Sequence, residues 1–104
     1  MMKILVLTSL SLLALGSLQT ANAASLYAGQ SRAAAVCSQC HGIRTPSASS
    51  VFPNLAGRDA SYLETALKQY RDKTRVQEIM NNIAGSLTDE DIHNVAEYYS
   101  KVKP

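Results

Sequence analysis

The stretch AAAVCSQCHG, residues 33–42, holds both cysteines of the chain, Cys37 and Cys40, with His41 directly behind them. Two thiols at this spacing serve as a redox disulfide, as half of a zinc site, or as a tether for a larger group. The rest of the chain weighs these against one another. A redox Cys-x-x-Cys sits at a strand-to-helix turn of a βαβ fold, and no segment here reads as a strand. A structural zinc takes four ligands. Beyond the two cysteines the chain offers only His41, adjacent to Cys40, and the distant His93. A plain disulfide would enclose two residues and remove little loop entropy.

The chain has 104 residues and a formal net charge of +2. Its first segment, MMKILVLTSLSLLALGSLQTANA, places Lys3 before an apolar run from Ile4 to Leu18 and closes on Ala21-Asn22-Ala23. That is the layout of a cleaved secretory signal over residues 1–23. The run is short of the roughly 20 apolar residues a membrane span needs, and Thr8, Ser9, Ser11 and Ser17 dilute it. A mature domain over residues 24–104 is expected, with no stable membrane insertion once the leader is removed. Its charge is then close to neutral, which argues against a nucleic-acid partner and against strong electrostatic steering. So small a domain builds a thin core and depends on a staple. With no Trp and one Phe, something other than side chains is expected to fill the middle.

The mature chain reads as all-α, with three to five helices. ASLYAGQSRAAAVCSQC is Ala-rich and free of Pro, and predicts a first helix of two to three turns before Cys37. Residues 41–57, HGIRTPSASSVFPNLAG, carry Gly, Pro and Ser without helical period and read as a long loop of the kind that wraps a ligand. In RDASYLETALKQYRD, Asp59 is the expected N-cap. Leu63, Ala66, Leu67 and Tyr70 form an apolar face there, and Lys68, Arg71 and Asp72 suit the solvent side. Val76, Ile79, Met80 and Ile83 fit a short helix ending near Gly85. Thr88 with Asp91 resembles a capping box. Asp89 and Glu90 near that start and Lys101 near the end match the helix dipole. Ile92, Val95, Ala96 and Tyr99 line the inner face of this last helix.

Within such a frame Cys-x-x-Cys-His reads as the attachment site of one covalently bound haem c. Two thiols on one helical turn reach the two vinyl groups of a porphyrin edge, and the imidazole of His41 projects toward the iron. Attachment outside the cytoplasm agrees with the leader. The opposite axial ligand is expected to be Met80, the one methionine left after the leader, because a thioether favours Fe(II). The competing reading of Met80 is core packing on the Val76/Ile79/Ile83 stripe. His93, among Asp91, Asn94 and Glu97, reads as a solvated side chain.

These residues resemble the small class I cytochromes c over nearly all of residues 26–103. The resemblance implies that Gly29, eight residues before Cys37, lets the last helix pack closely, with Tyr98 or Tyr99 at the crossing. It implies that PNLAG, Pro53 to Gly57, follows the haem loop and that the Pro53 carbonyl accepts a hydrogen bond from the His41 ring, which orients the ligand. The run from Met80 through LTDEDI to AEYY resembles one lobe of the periplasmic di-haem cytochromes and the cytochrome subunit of flavocytochrome c sulfide dehydrogenases. Arg58 and Arg75 are candidate contacts to the haem propionates, or equally solvated charges.

The leading functional expectation is a periplasmic electron carrier, not an enzyme. Both axial positions are filled, and the electron is expected to cross at the haem edge near Cys37 and Cys40. It would act as a monomer or small complex between a quinol-oxidising complex and a terminal oxidase or reductase. The alternative is a haem c subunit of a periplasmic dehydrogenase, bound permanently to a flavoprotein that oxidises sulfide. A third reading, a haem-based ligand sensor, needs a labile or missing sixth ligand.

Overall fold

A computed structural model describes residues 23–45 and 51–104. The expected leader, up to residue 22, and residues 46–50 of the loop lie outside the described residues. Four helices make up the described architecture, and among the described residues there is no strand. None of the helices described is long and apolar enough to cross a membrane.

The first helix, α1, is longer than its composition predicts. Residues 23–32 are helical, Ala33–Cys37 continue as a π-helical segment, and Ser38–His41 form the closing α turn. The helix therefore runs through both cysteines instead of stopping before them. In the π segment the Ser38 N–H reaches back five residues to the Ala33 carbonyl. Carbonyls displaced by the wide turn find side-chain donors: Ser38 Oγ donates to Ala34 O at 2.9 Å and Gln39 Nε2 to Ala35 O at 3.2 Å. The wide turn has a packing consequence. Gly29, Ala33, Cys37 and His41 are all buried and stand four residues apart. With 3.6 residues per turn, a four-residue spacing drifts about 40° per step around the axis. A π turn takes up part of that drift and keeps the four on one buried line.

Helix α2 spans Ala60–Asp72 and is capped by the Asp59 side chain, which accepts from the Tyr62 N–H. It ends at Lys73 in the left-handed conformation (φ 65°). Helix α3 spans Glu78–Gly85, and α4 spans Asp89–Lys101. The capping box of α4 is complete: Asp91 N–H donates to Thr88 Oγ1 and Thr88 N–H to Asp91 Oδ2. Helix α2 packs on α3 and α4. Ala33, Cys37, Leu63, Val95, Ala96 and Tyr99 form the buried cluster, so the core joins α1, α2 and α4.

Two glycines hold α4 close. A Cβ placed on Gly29 would lie 2.2 Å from Asn94 O, 2.8 Å from Asn94 C and 3.0 Å from Tyr98 Cβ. Tyr98, rather than Tyr99, is therefore the aromatic at the crossing. Gly57, at φ 75°, donates its N–H to Tyr99 O at 2.9 Å, and this ties the PNLAG turn to the end of α4. Tyr99 itself turns inward. It is fully buried and its hydroxyl donates to Gly42 O at 2.7 Å, immediately after His41.

Three side chains differ from the sequence expectation. Arg71 does not extend into solvent. It donates to Leu87 O at 3.3 Å and pairs with Asp89 at 2.6 Å, spanning from α2 to the turn between α3 and α4. Its guanidinium holds the Asp89 carboxyl below the usual carboxylate range. Val76 is 82% exposed, because α3 starts only at Glu78 and leaves Val76 in the connection. Asn94, expected beside a solvated His93, is buried at the Gly29 crossing. His93 is on the solvated face, with Glu64 Oε2 3.4 Å from its Nδ1.

Candidate functional site: an apolar cleft with sulfur and imidazole donors

The cleft between α1, the PNLAG turn, α2 and α3 has a volume of about 240 Å³. Cys37, Cys40, His41, Pro53, Arg58, Arg75 and Met80, all singled out from the sequence, line it together. His93 does not. The remaining wall is mostly apolar and aromatic, including Leu55, Leu63, Leu67, Ile83 and Tyr70.

On the α1 side, Cys37, Cys40 and His41 share the last turns of the helix. Cys37 and His41 are buried, and Cys40 is partly exposed. No disulfide joins Cys37 to Cys40. Burial pushes the Cys37 thiol up to about 11, with Arg32 opposing the shift. A disulfide-exchange thiol is lowered toward the thiolate, the opposite of the direction at Cys37.

His41 Nδ1 lies 2.8 Å from the Pro53 carbonyl oxygen. A carbonyl only accepts, so Nδ1 carries a proton, which in the neutral ring leaves the lone pair on Nε2. The Phe52 ring stands 6.0 Å from the imidazole at 59°. The Tyr99–Gly42 bond fixes the backbone one residue after His41. The ring is thus braced from the loop and from α4.

The far wall comes from α2, α3 and their connection. Met80 lies in the first turn of α3, where its N–H donates to Gln77 Oε1 at 2.7 Å. Ile79 beside it is half exposed although it lines the same cleft. Arg58 Nε donates to Asn54 O at 2.8 Å, with its guanidinium 5.7 Å from the Tyr62 ring centre. The Arg75 guanidinium stands 5.0 Å from that of Tyr70. The two arginines are the charged side chains among the residues lining the cleft. Tyr62 and Phe52 were not singled out from the sequence. Tyr62, Ala66 and Tyr70 recur every four residues, a signal that pointed to the cleft-facing side of α2.

The donor chemistry fits a covalently held haem. Two cysteine sulfurs on one helical turn, an imidazole held through Nδ1, and a thioether line an apolar hollow in a chain otherwise short of core. Such a helical fold with such a site defines a c-type haem protein.

Comparison with known proteins agrees. The family described as "Cytochrome C oxidase, cbb3-type, subunit III" matches residues 24–98. The chain is 42% identical over 67 residues to cytochrome c-554(548) of Halomonas halodenitrificans, covering 62% of this chain and 81% of that protein. It is 38% identical over 66 residues to the cytochrome subunit of sulfide dehydrogenase of Chlorobaculum tepidum, covering 64% of this chain and 59% of that subunit. The solved cytochrome c4 of Acidithiobacillus ferrooxidans superposes with a TM-score of 0.59 at 34% identity, over 64% of this chain and 38% of that one. The chain belongs to this cytochrome c family. Its cofactor is covalently bound haem c, and it is an electron carrier that works with redox partners rather than an enzyme.

Proposed function

We propose that the chain is a periplasmic single-electron carrier in which Cys37 and Cys40 tether the haem and His41 and Met80 ligate its iron. The observation that carries this reading is the convergence of the two thiols, the imidazole and the thioether on one apolar cleft. Haem c supplies the one-electron Fe(III)/Fe(II) couple. The protein supplies the rest. Cys37 and Cys40 would each hold the haem through a thioether, a link between thiol and vinyl group that would need no oxidant. The Pro53 carbonyl holds His41 in one tautomer and raises the basicity of Nε2. Met80 supplies a soft neutral sulfur that favours the ferrous state. Arg58 and Arg75 offer donors for the propionates at the cleft. The partly exposed Cys40 marks the edge of the cleft at which a redox partner would approach. Residues 1–23 act as the export leader, and residues 24–104 are the functional domain.

The tether is tested by replacing both cysteines with alanine and extracting the protein with acidified acetone. Haem should stay with the wild-type polypeptide and leave the double variant entirely. Haem that resists extraction from the variant overturns the assignment.

The likeness to a sulfide dehydrogenase subunit supports a second reading, a haem c subunit bound permanently to a periplasmic flavoprotein. A free carrier forms weak, transient contacts, whereas an obligate subunit buries a large apolar interface. Size-exclusion of the native protein separates the two. Elution at the mass of the single chain is the expected result, and co-elution with a flavoprotein overturns the free-carrier reading.

A further inference from the structure

Met80 stands at the start of a helix of eight residues, Glu78–Gly85, preceded by a connection that departs from α2 through a left-handed Lys73 and exposes Val76. A short helix after such a connection has little intrinsic stability. The placement of Met80 therefore depends on what fastens this connection. The side-chain amide of Asn81, the next residue, does so. Its Nδ2 donates to Tyr70 O at 2.8 Å, at the end of α2, and to Arg75 O at 2.9 Å, within the connection. Its Oδ1 accepts from the Gln77 N–H at 3.0 Å. Gln77 returns the contact: its backbone carbonyl accepts from Asn81 N at 2.8 Å and its side chain from Met80 N. One amide thus joins the last turn of α2, the connection and the first turn of α3 into a knot one residue from the sulfur. Three of the four bonds an asparagine amide can make are used.

We propose that Asn81 and Gln77 are positioning residues for Met80, setting how tightly the thioether is held in the sixth position. This rests on the reading of Met80 as an axial ligand. An external ligand binds ferric haem only in molecules whose Met80 has swung away, so its apparent affinity scales with that population. Loosening the knot enlarges the population. Asn81→Ala removes three hydrogen bonds. Asn81→Asp keeps the acceptor toward Gln77 but loses both donations and sets a carboxylate against two carbonyls. Gln77→Ala removes the cap on Met80 N–H, and Gln77→Glu keeps an acceptor there.

The test uses purified ferric holoprotein titrated with imidazole, read by the near-infrared charge-transfer band of Met-ligated haem and by the midpoint potential. Asn81→Ala and Asn81→Asp should bind imidazole about ten- to a hundredfold more tightly than wild type, with a weakened band and a lower potential. Gln77→Ala should shift the same way, and Gln77→Glu should return toward wild type. Asn82→Ala, on an exposed neighbour in the same helix, should change none of these. A wild-type protein without the band overturns the Met80 assignment and this inference with it. A wild-type protein with the band, and Asn81 variants that bind imidazole no more tightly, overturns this inference alone. If the Asn81 variants yield no holoprotein, the Gln77→Ala and Gln77→Glu pair decides by the same readings.

Discussion

Gly29→Ala is expected to destabilise the holoprotein by about 3 kcal/mol or more, the upper end of what overpacking costs. The sign is informative because the same exchange inside an ordinary helix stabilises by about 1 kcal/mol. Here the added methyl would lie 2.2 Å from Asn94 O, a backbone atom that no rotamer change can move away. Relief requires α1 and α4 to separate. Those helices hold Cys37 on one side and Val95, Ala96 and Tyr99 on the other, so separation opens the core directly behind Cys37. It also draws α4 away from the turn after His41, which Tyr99 fixes through Gly42. Native stabilities are only about 5–15 kcal/mol, so a larger residue such as valine should leave little folded protein. Urea unfolding of purified holoprotein measures the loss. Gly85→Ala is the matched control, since a Cβ there meets nothing within 4 Å, and its midpoint should not fall. A Gly29→Ala protein as stable as wild type would mean that α1 and α4 do not cross at this residue.

How much of this was legible in the sequence depended on the range of the interaction. Asp59 and Thr88 cap helices through atoms three residues away, so local pattern was enough to find them. The inner face of α4 was equally plain, because Ile92, Val95, Ala96 and Tyr99 follow the helical period and are all buried. The π segment was not legible. It accompanies a buried line at four-residue intervals, a packing relation that the Ala-rich composition does not announce. Arg71 and Asn81 were misread or passed over for a related reason. Asn81 donates to the carbonyls of Tyr70 and Arg75, and Arg71 divides its donors between the Leu87 carbonyl and the Asp89 carboxylate. Carbonyl positions leave no trace in residue identity. Val76 failed the other way, since it kept helical spacing while the cap at Gln77 began the helix after it. For the site, the meeting of Cys37, Cys40 and His41 at one cleft was legible because their close spacing puts them together at the end of one helix. The hydrogen bond between His41 and Pro53 spans twelve residues, and only family resemblance suggested it.

Met80→Leu is expected to lower the midpoint potential by about 0.1 V or more, within the roughly 0.8 V over which axial ligands move haem potentials. The near-infrared charge-transfer band of the ferric protein should vanish. Leucine is the informative replacement because Met80 has two competing roles. As a packing residue it shares the cleft wall with Ile79 and Ile83, and exchange for leucine, of similar volume, would cost less than about 1.5 kcal/mol and alter little else. As a ligand it contributes a sulfur that leucine lacks. Spectrum and potential then change while packing is largely kept. Ferrous Met80→Leu should also bind CO rapidly at neutral pH, whereas the wild type should not, because on the proposed assignment only the wild type would have a sulfur to fill the second ligand position. Rapid CO binding by the wild type would mean that the sixth position is open from the outset. The cleft would then be a ligand-binding site, and Met80 part of its apolar wall. An unchanged band and potential in Met80→Leu would place the sixth ligand elsewhere. Among the described residues His93 is the remaining histidine, and it stands on the solvated face against Glu64. Recruiting it would require α4 to rotate out of the contacts that Gly29 and Gly57 make with it.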